Sequence, residues 1–324
     1  MPLPGDRLQF SVFERPACLE LTGNVGEGLR PGVFSPDGRW LAVADNQNLC
    51  VWDLACSVRP ALLPQAASLQ PFFSPDGSEL FAVGGPIEGA RLQGWRLASG
   101  SNAVAPPQLA PLSIRVPSQV SGAAFASNEL VLTAAEGVRF LARTNMAWGA
   151  GRVAGIPSGK GIVSPDGRWL AVTYSYSPMV TVYQLPGVEK VANLETRHFI
   201  GEVFFSPTSD ELTVINRAGV EWWDTATWRL KRRQPGTPVS GSYVLYTPNG
   251  TGLWMVTNFR DTGLYERHTL EPVLPLPPNV VPLALSSDGR QLAVSVDDQR
   301  VQVWNLAELR AQLRQLGLDW GESP

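Results

Sequence analysis

Histidine and cysteine are scarce in this chain of 324 residues, which holds only His198 and His268, with Cys18, Cys50 and Cys56. None of them stands at metal-ligand spacing from another, so a typical zinc site cannot be assembled and no metal is expected. An odd, unclustered set of cysteines fits buried reduced thiols and a cytoplasmic compartment better than a disulfide framework. No apolar run is long enough to span a bilayer, and Met1 to Arg7, with Pro2, Pro4, Gly5 and Asp6, leads into none. Neither a signal peptide nor a membrane partner is therefore expected. Positive charge is not in excess either: 26 Lys and Arg against 29 Asp and Glu leave a net charge of −3. Nucleic acid, which selects clustered basic residues, is not an expected partner. The one compact basic run, Arg229-Leu230-Lys231-Arg232-Arg233, reads as a solvated strand end or loop.

Catalytic motifs are missing too. Gly155-Ile156-Pro157-Ser158-Gly159-Lys160-Gly161 has a glycine-rich look but no Ser or Thr after its lysine, and it runs into a strand pattern. A bound phosphate needs a helix N-terminus there. No Gly-x-Ser-x-Gly elbow occurs, so a serine hydrolase of that type is excluded. No catalytic residue and no cofactor are assigned.

What the chain has instead is a phrase written many times. Phe34-Ser35-Pro36-Asp37-Gly38 returns as Phe73-Ser74-Pro75-Asp76-Gly77, Val163-Ser164-Pro165-Asp166-Gly167, Phe205-Ser206-Pro207, Tyr246-Thr247-Pro248-Asn249-Gly250 and Leu285-Ser286-Ser287-Asp288-Gly289. A degenerate copy, Phe125-Ala126-Ser127-Asn128, fills the largest gap. Successive anchors lie 39, 52, 38, 42, 41 and 39 residues apart, near the roughly 42 residues of one four-stranded propeller blade. Each phrase reads as a strand end and a turn, in which proline presets φ and glycine takes the left-handed position. On this reading Asp37, Asp76, Asp166 and Asp288 hold turns rather than calcium, and the sequon Asn249-Gly250-Thr251 is a turn as well. A second landmark follows, a large residue closing the third strand: Trp52, Trp95, Leu141, Tyr183, Trp223, Tyr265 and Trp304. Most tryptophan is thereby placed in the core, while Trp148 and Trp228 fall in connecting segments and are candidates for exposure.

Together, Ser-Pro-Asp-Gly at 35–38 and Trp-Asp at 52–53 and 223–224 resemble the WD40 repeat family, in an atypical bacterial form, over about residues 8 to 306. The resemblance implies an all-β, seven-bladed β-propeller of four-stranded antiparallel blades. The domain reading is residues 1–306 for the propeller and 307–324 for a helical tail. No copy carries the Gly-His pair that usually opens such a repeat, so the family's buried Asp–His–Ser/Thr–Trp network is mostly missing and apolar stacking must hold the blades. The last blade ends at Trp304 with three strands of its own; residues 17–22 are placed as its closing strand, with 8–13 as a further strand of less defined role. After it a short C-terminal helix runs from Asn305, a cap with Glu308 completing the box, to Leu316, along a stripe of Leu306, Leu309 and Leu313, and stops at Gly317. This tail resembles the segment that ends propeller domains in some large bacterial signalling proteins.

With no chemistry assigned, the resemblance implies a non-catalytic scaffold or sensor module, monomeric, with another protein or peptide as partner. Specificity is expected on the face that gathers the hairpin tips between second and third strands and the loops entering each blade. The candidate partner-binding residues there are Arg30, Tyr174, Tyr176, Arg197, His198, Arg217, Arg260 and Asp298. Two alternatives stay open. One is a propeller enzyme of lactonase or quinoprotein type with its site at the channel mouth; the other is a small-ligand or glycan sensor using the Tyr174/Tyr176 tip.

Overall fold

A computed structural model describes residues 18–21, 29–56, 59–64, 70–84, 91–99, 106–114, 120–134, 136–144, 147–156, 159–174, 176–236, 239–257, 261–315 and 317. Seven antiparallel sheets follow one another along the chain and close into a propeller ring. Blade 1 shows the plan, with strands Val33–Phe34, Trp40–Ala44, Asn48–Asp53 and Ala61–Pro64 in that spatial order. The second strand and the interior of the third are apolar without alternation because neighbouring blades cover both faces; Leu41 to Ala44 and Leu49 to Trp52 are all fully buried. Seven apolar clusters result, and each lies between two adjacent blades rather than within one. Between blades 4 and 5, for example, Val180, Val182 and Leu194 pack on Val203, Leu212, Val214 and Trp223.

The repeated phrase builds one hydrogen-bonded unit. In blade 1 the Ser35 hydroxyl donates to Asp37 and accepts from Trp40 N at 2.9 Å, while Asp37 accepts from Arg39 N at 3.1 Å. Ser74/Asp76, Ser164/Asp166, Thr247/Asn249 and Ser286/Asp288 repeat it. Gly38, Gly77, Gly167, Gly250 and Gly289 all sit at φ of 69–72°, where a side chain would be strained, and blade 5 pays that cost with Ser209 at φ 60°. The turns also touch one another round the ring. Gly77 faces Pro36, Gly250 faces Pro207 and Gly289 faces Pro248. Across the seam between last and first blades, Ser287 Oγ donates to Pro36 O at 2.8 Å.

Closure runs through the N-terminal segment as expected. Cys18–Leu21 pairs antiparallel with Arg300–Asn305, in register Cys18 to Trp304 and Leu21 to Val301. Residues 8–13 lie outside the described residues. Blade 3 departs from the plan with a fifth strand, Ser113–Ile114, running parallel to Ala147–Trp148 at its edge. The helix spans Leu306–Gln315, capped by Asn305 Oδ1 accepting from Glu308 N at 3.1 Å, and Leu306 and Leu309 seal the cluster between blades 6 and 7. Among the described residues no helix is long and apolar enough to cross a membrane.

Three expectations need correction. Trp148 is not exposed: it lies on a strand, 4% accessible, in an aromatic cluster with Phe81 and Phe125. Trp228 is half-buried edge-on against Trp169. Of the three thiols only Cys50 is buried, and burial together with nearby Asp45 pushes it up to about 12; Cys18 and Cys56 are half-buried. The basic run is the largely exposed outermost strand of blade 5, Leu230–Pro235, solvated as expected but with two of its cations also reaching buried acids. Lys231 reaches Glu211 at 3.1 Å, and Arg233 reaches Glu221 at 3.0 Å. Acids of this kind join blades. Glu79 of blade 2, 1% exposed, takes Arg96 of its own blade at 3.3 Å together with Arg143 at 2.9 Å and Trp148 Nε1 at 3.1 Å from blade 3. Indole nitrogens of Trp52, Trp222 and Trp223, by contrast, are buried without a partner, in keeping with the missing histidine network.

Two predictions follow from closure and turns. Deleting residues 1–22 leaves the Arg300–Asn305 edge open and uncovers Val301 and Val303, so the protein should aggregate or melt far lower; a native melting temperature would refute the closing role. The second concerns acid. Serine hydroxyls hold the Asp37, Asp76 and Asp288 carboxyls below their ordinary range. Groups depressed in the folded state contribute stability that is present above the unfolded value, about 3.9, and lost as pH falls through the folded one. Thermal melting should therefore fall steeply below about pH 4. Asn249 already fills this turn position in blade 6, so D37N/D76N/D288N should fold, with a shallower acid decline; an unchanged slope would count against these turns.

Candidate interaction face

In each blade the turn and the hairpin between second and third strands lie at opposite ends of the same antiparallel pair. Because the turns share one face, the hairpin tips share the other, together with the loops that enter each blade. Three segments of this second face are tied into one unit where blades 4 and 5 meet.

The first is the blade 4 tip, following the strand Trp169–Thr173 and ending at Met179. Its geometry is set by Ser177 N donating to Tyr174 O at 3.1 Å, with Tyr176 between them at φ 59°. That conformation throws the Tyr176 ring outward, 86% exposed. Tyr174 behaves differently: it packs half-buried on the cluster of Val172 and Tyr183. Burial, then the hydrogen bond with Tyr174, pushes the Tyr183 hydroxyl up, so Tyr174 is committed to the blade.

The second segment is the loop entering blade 5, Thr196 to Ile200. Thr196 N donates to Pro178 O at 2.8 Å and its hydroxyl lies 2.7 Å from the same carbonyl and 2.8 Å from His198 O. Ile200 N reaches Ser177 O at 3.4 Å. Held this way, Phe199 stands 57% exposed, edge-on to Tyr176 with ring centroids 6.4 Å apart at 87°. Arg197 and His198 are exposed beside it.

The third is the blade 5 tip between Glu211–Asn216 and Gly219–Asp224. Asn216 Oδ1 accepts from Ala218 N at 2.8 Å, which turns the chain and presents Arg217 to solvent. Gly219, at φ 134°, must be glycine, since a Cβ there would fall 2.0 Å from Gln234 O.

One buried carboxylate oxygen joins the second and third segments. Glu221 Oε1 accepts from Arg197 N at 3.4 Å, Asn216 Nδ2 at 3.4 Å and Arg233 Nε at 3.0 Å, with its side chain 1% exposed. Oε2 is buried with no partner, so any movement of these groups leaves a buried charge still less satisfied. The three segments contain no acidic residue, and neither Arg197 nor Arg217 is ion-paired among the described residues.

Five of the eight candidates thus converge: Tyr174, Tyr176, Arg197, His198 and Arg217. Arg30 and Asp298 sit apart at the seam of blades 7 and 1, where Asp298 Oδ1 accepts from Leu29 N at 3.1 Å and Arg30 N is bound to Ala44 O. Arg260 lies outside the described residues. Sequence reading missed Phe199 and Glu221. Both had a signal: a large apolar side chain in the polar loop Arg197-His198-Phe199, and an acid inside the apolar strand Val220-Glu221-Trp222-Trp223.

With the strand plan and this face described, comparison with known families adds one finding. Residues 27–53 match the family model for the WD domain, G-beta repeat. The matched stretch takes in the first three strands of blade 1, from Val33 to Asp53. WD40 resemblance is therefore direct in that blade, and its four-strand order recurs in the other six, with one added edge strand in blade 3. No curated protein matches the chain.

Removing the joining carboxylate should loosen the tips. E221A strands Arg233 and Asn216 and is expected to cost about 2 kcal/mol in denaturant unfolding. E221Q, which keeps Oε1 as an acceptor, should lose less. Amide exchange at 197–199 should accelerate in E221A while blades 1 and 2 stay protected. Uniform acceleration across the ring would assign Glu221 to blade stability alone.

Proposed function

We propose that this WD40-like propeller is a non-catalytic scaffold that holds a partner protein or peptide on its hairpin-tip face, as a module of a signalling assembly. The observation that carries the reading is the Tyr176–Phe199 pair: two large rings kept in solvent by a hydrogen-bonded framework. Exposed aromatics on pre-ordered loops anchor binding because they bury much area with little ordering entropy. The opposite face is largely committed to turns that contact one another, which narrows the side chains it can offer a partner. A propeller enzyme would need an acid or base working with His198, and the buried Glu221 carboxylate beside it is already engaged by Arg197 N, Asn216 and Arg233. For a glycan sensor the Tyr176 ring would suit, but the amide of Asn216 has both ends engaged and cannot read sugar hydroxyls.

Photo-crosslinking tests the face. A photoreactive residue placed at Tyr176 should capture a discrete partner from the native host, while one at Asp76 on the turn face should not. Capture at Asp76 alone would overturn the assignment.

A further inference from the structure

We infer that the Tyr176–Phe199 patch takes an acidic peptide segment carrying one bulky apolar side chain, which seats against the two rings while its carboxylates meet Arg197 and Arg217. This rests on the scaffold reading and goes further in naming the chemistry of the partner. Three observations point the same way. The edge-to-face rings, at 87°, belong to residues 86% and 57% exposed, enough apolar surface for a Leu, Phe or Trp side chain but not for a domain core. The cations flank the rings from two separate segments, Arg197 two residues before Phe199 and Arg217 on the next tip, and one oxygen of Glu221 holds both segments together. The three segments themselves hold no carboxylate; exposed Glu195 borders them, in register with Met179, but is ion-paired with neither arginine among the described residues, so the patch stays cationic on a protein of net charge −3. A locally cationic patch on an acidic protein repels little of an anionic ligand at close range and steers it to this spot.

Lys160, on the neighbouring innermost strand Lys160–Val163, shows the contrast: Glu202 pairs with it at 2.7 Å and balances its charge locally. Single-stranded nucleic acid would also meet aromatics and arginines. It needs a groove of cations tracking the backbone over several nucleotides, however, and this patch supplies two guanidiniums and one imidazole. The framework already fixes the loops, so a peptide orders only itself on binding.

The test is selection of random linear dodecapeptides displayed on phage against the full chain. Fluorescence anisotropy of the selected peptides and of an oligouridine then follows. Selected sequences should carry Asp or Glu on both sides of a single Leu, Phe or Trp. Y176S/F199S and R197E/R217E should each weaken them by roughly 30-fold, about 2 kcal/mol. Raising salt from about 0.05 to about 0.3 M should weaken binding to the unaltered protein and strengthen the residual binding of R197E/R217E, whose reversed charges repel the peptide until they are screened. All four positions are exposed, so both variants should keep the parent melting curve, which is measured alongside. Basic or neutral peptides that depend on these residues would overturn the acidic assignment while the scaffold reading stands. Acidic peptides that bind both variants as well as the parent would remove the patch from the site. Oligouridine binding more tightly than any peptide, and lost in the variants, would replace the peptide with nucleic acid. Selection of no peptide at all would sink this inference, whereas the scaffold reading stands or falls on crosslinking at Tyr176.

Discussion

Burial of both faces of every sheet by its neighbours is the constraint on which this molecule depends. A four-stranded sheet has two apolar faces and no means of covering them alone, so the cores lie between blades and the ring must close for any of them to be dry. Between blades 7 and 1, Leu21 of the closing strand shares a cluster with Val301 and Val303 and with Phe34, Leu41 and Trp52. The first and last parts of the chain are thereby bound by the same rule as any two consecutive blades. The turns repeat this logic in polar form: most satisfy their own strand ends with a Ser or Thr and an Asp or Asn, and several lean on the turn beside them.

Where the usual histidine–tryptophan network is missing, carboxylates take over part of its task. Glu79 and Glu211 each draw cations from their own blade and the next, and the second of these also engages Arg267 and His268. Such pairs are expensive to desolvate, and removing one partner leaves an uncompensated charge, so they specify which blade edges meet more than they add stability. At Asp53 burial pushes the carboxyl up, but hydrogen bonds from Arg39 and Ser99 outweigh it and hold the group below the ordinary range. Ionised, it keeps Arg39 against the end of the third strand, at 2.8 Å.

Glu221 links this internal chemistry to the outer face. It belongs to the same set of buried acids, yet its oxygen points toward the tips rather than the turns. One side chain thus connects the blade 5 outer strand, through Arg233, with the loop bearing Arg197 and Phe199 and the tip bearing Arg217. Rigidity at the face is drawn from the core beneath it, and a patch of exposed rings can keep its shape without being buried.

Much of this was legible from spacing alone. Ser-Pro-Asp-Gly marks a φ that only glycine takes easily, and a large residue some 18 to 22 positions after most anchors marks the third strand. Those are local requirements, and repetition multiplied them into a fold, a closing strand at 17–22, observed at 18–21, and a capped helix after Trp304. The convergence of Tyr176, Phe199, Arg197 and Arg217 was not legible, because three segments far apart in sequence meet only through hydrogen bonds to Pro178, Ser177 and Glu221. Nor could local pattern place Trp148 in the core, pair Arg143 with Glu79 or turn the basic run toward buried acids, since each contact joins separate strands, and two of them join separate blades. The sequence by itself determined what each repeat must be, because turn and strand geometry are short-range. Only the tertiary structure decided which side chains become neighbours across blades, because that depends on ring closure and on where each strand's alternate residues point.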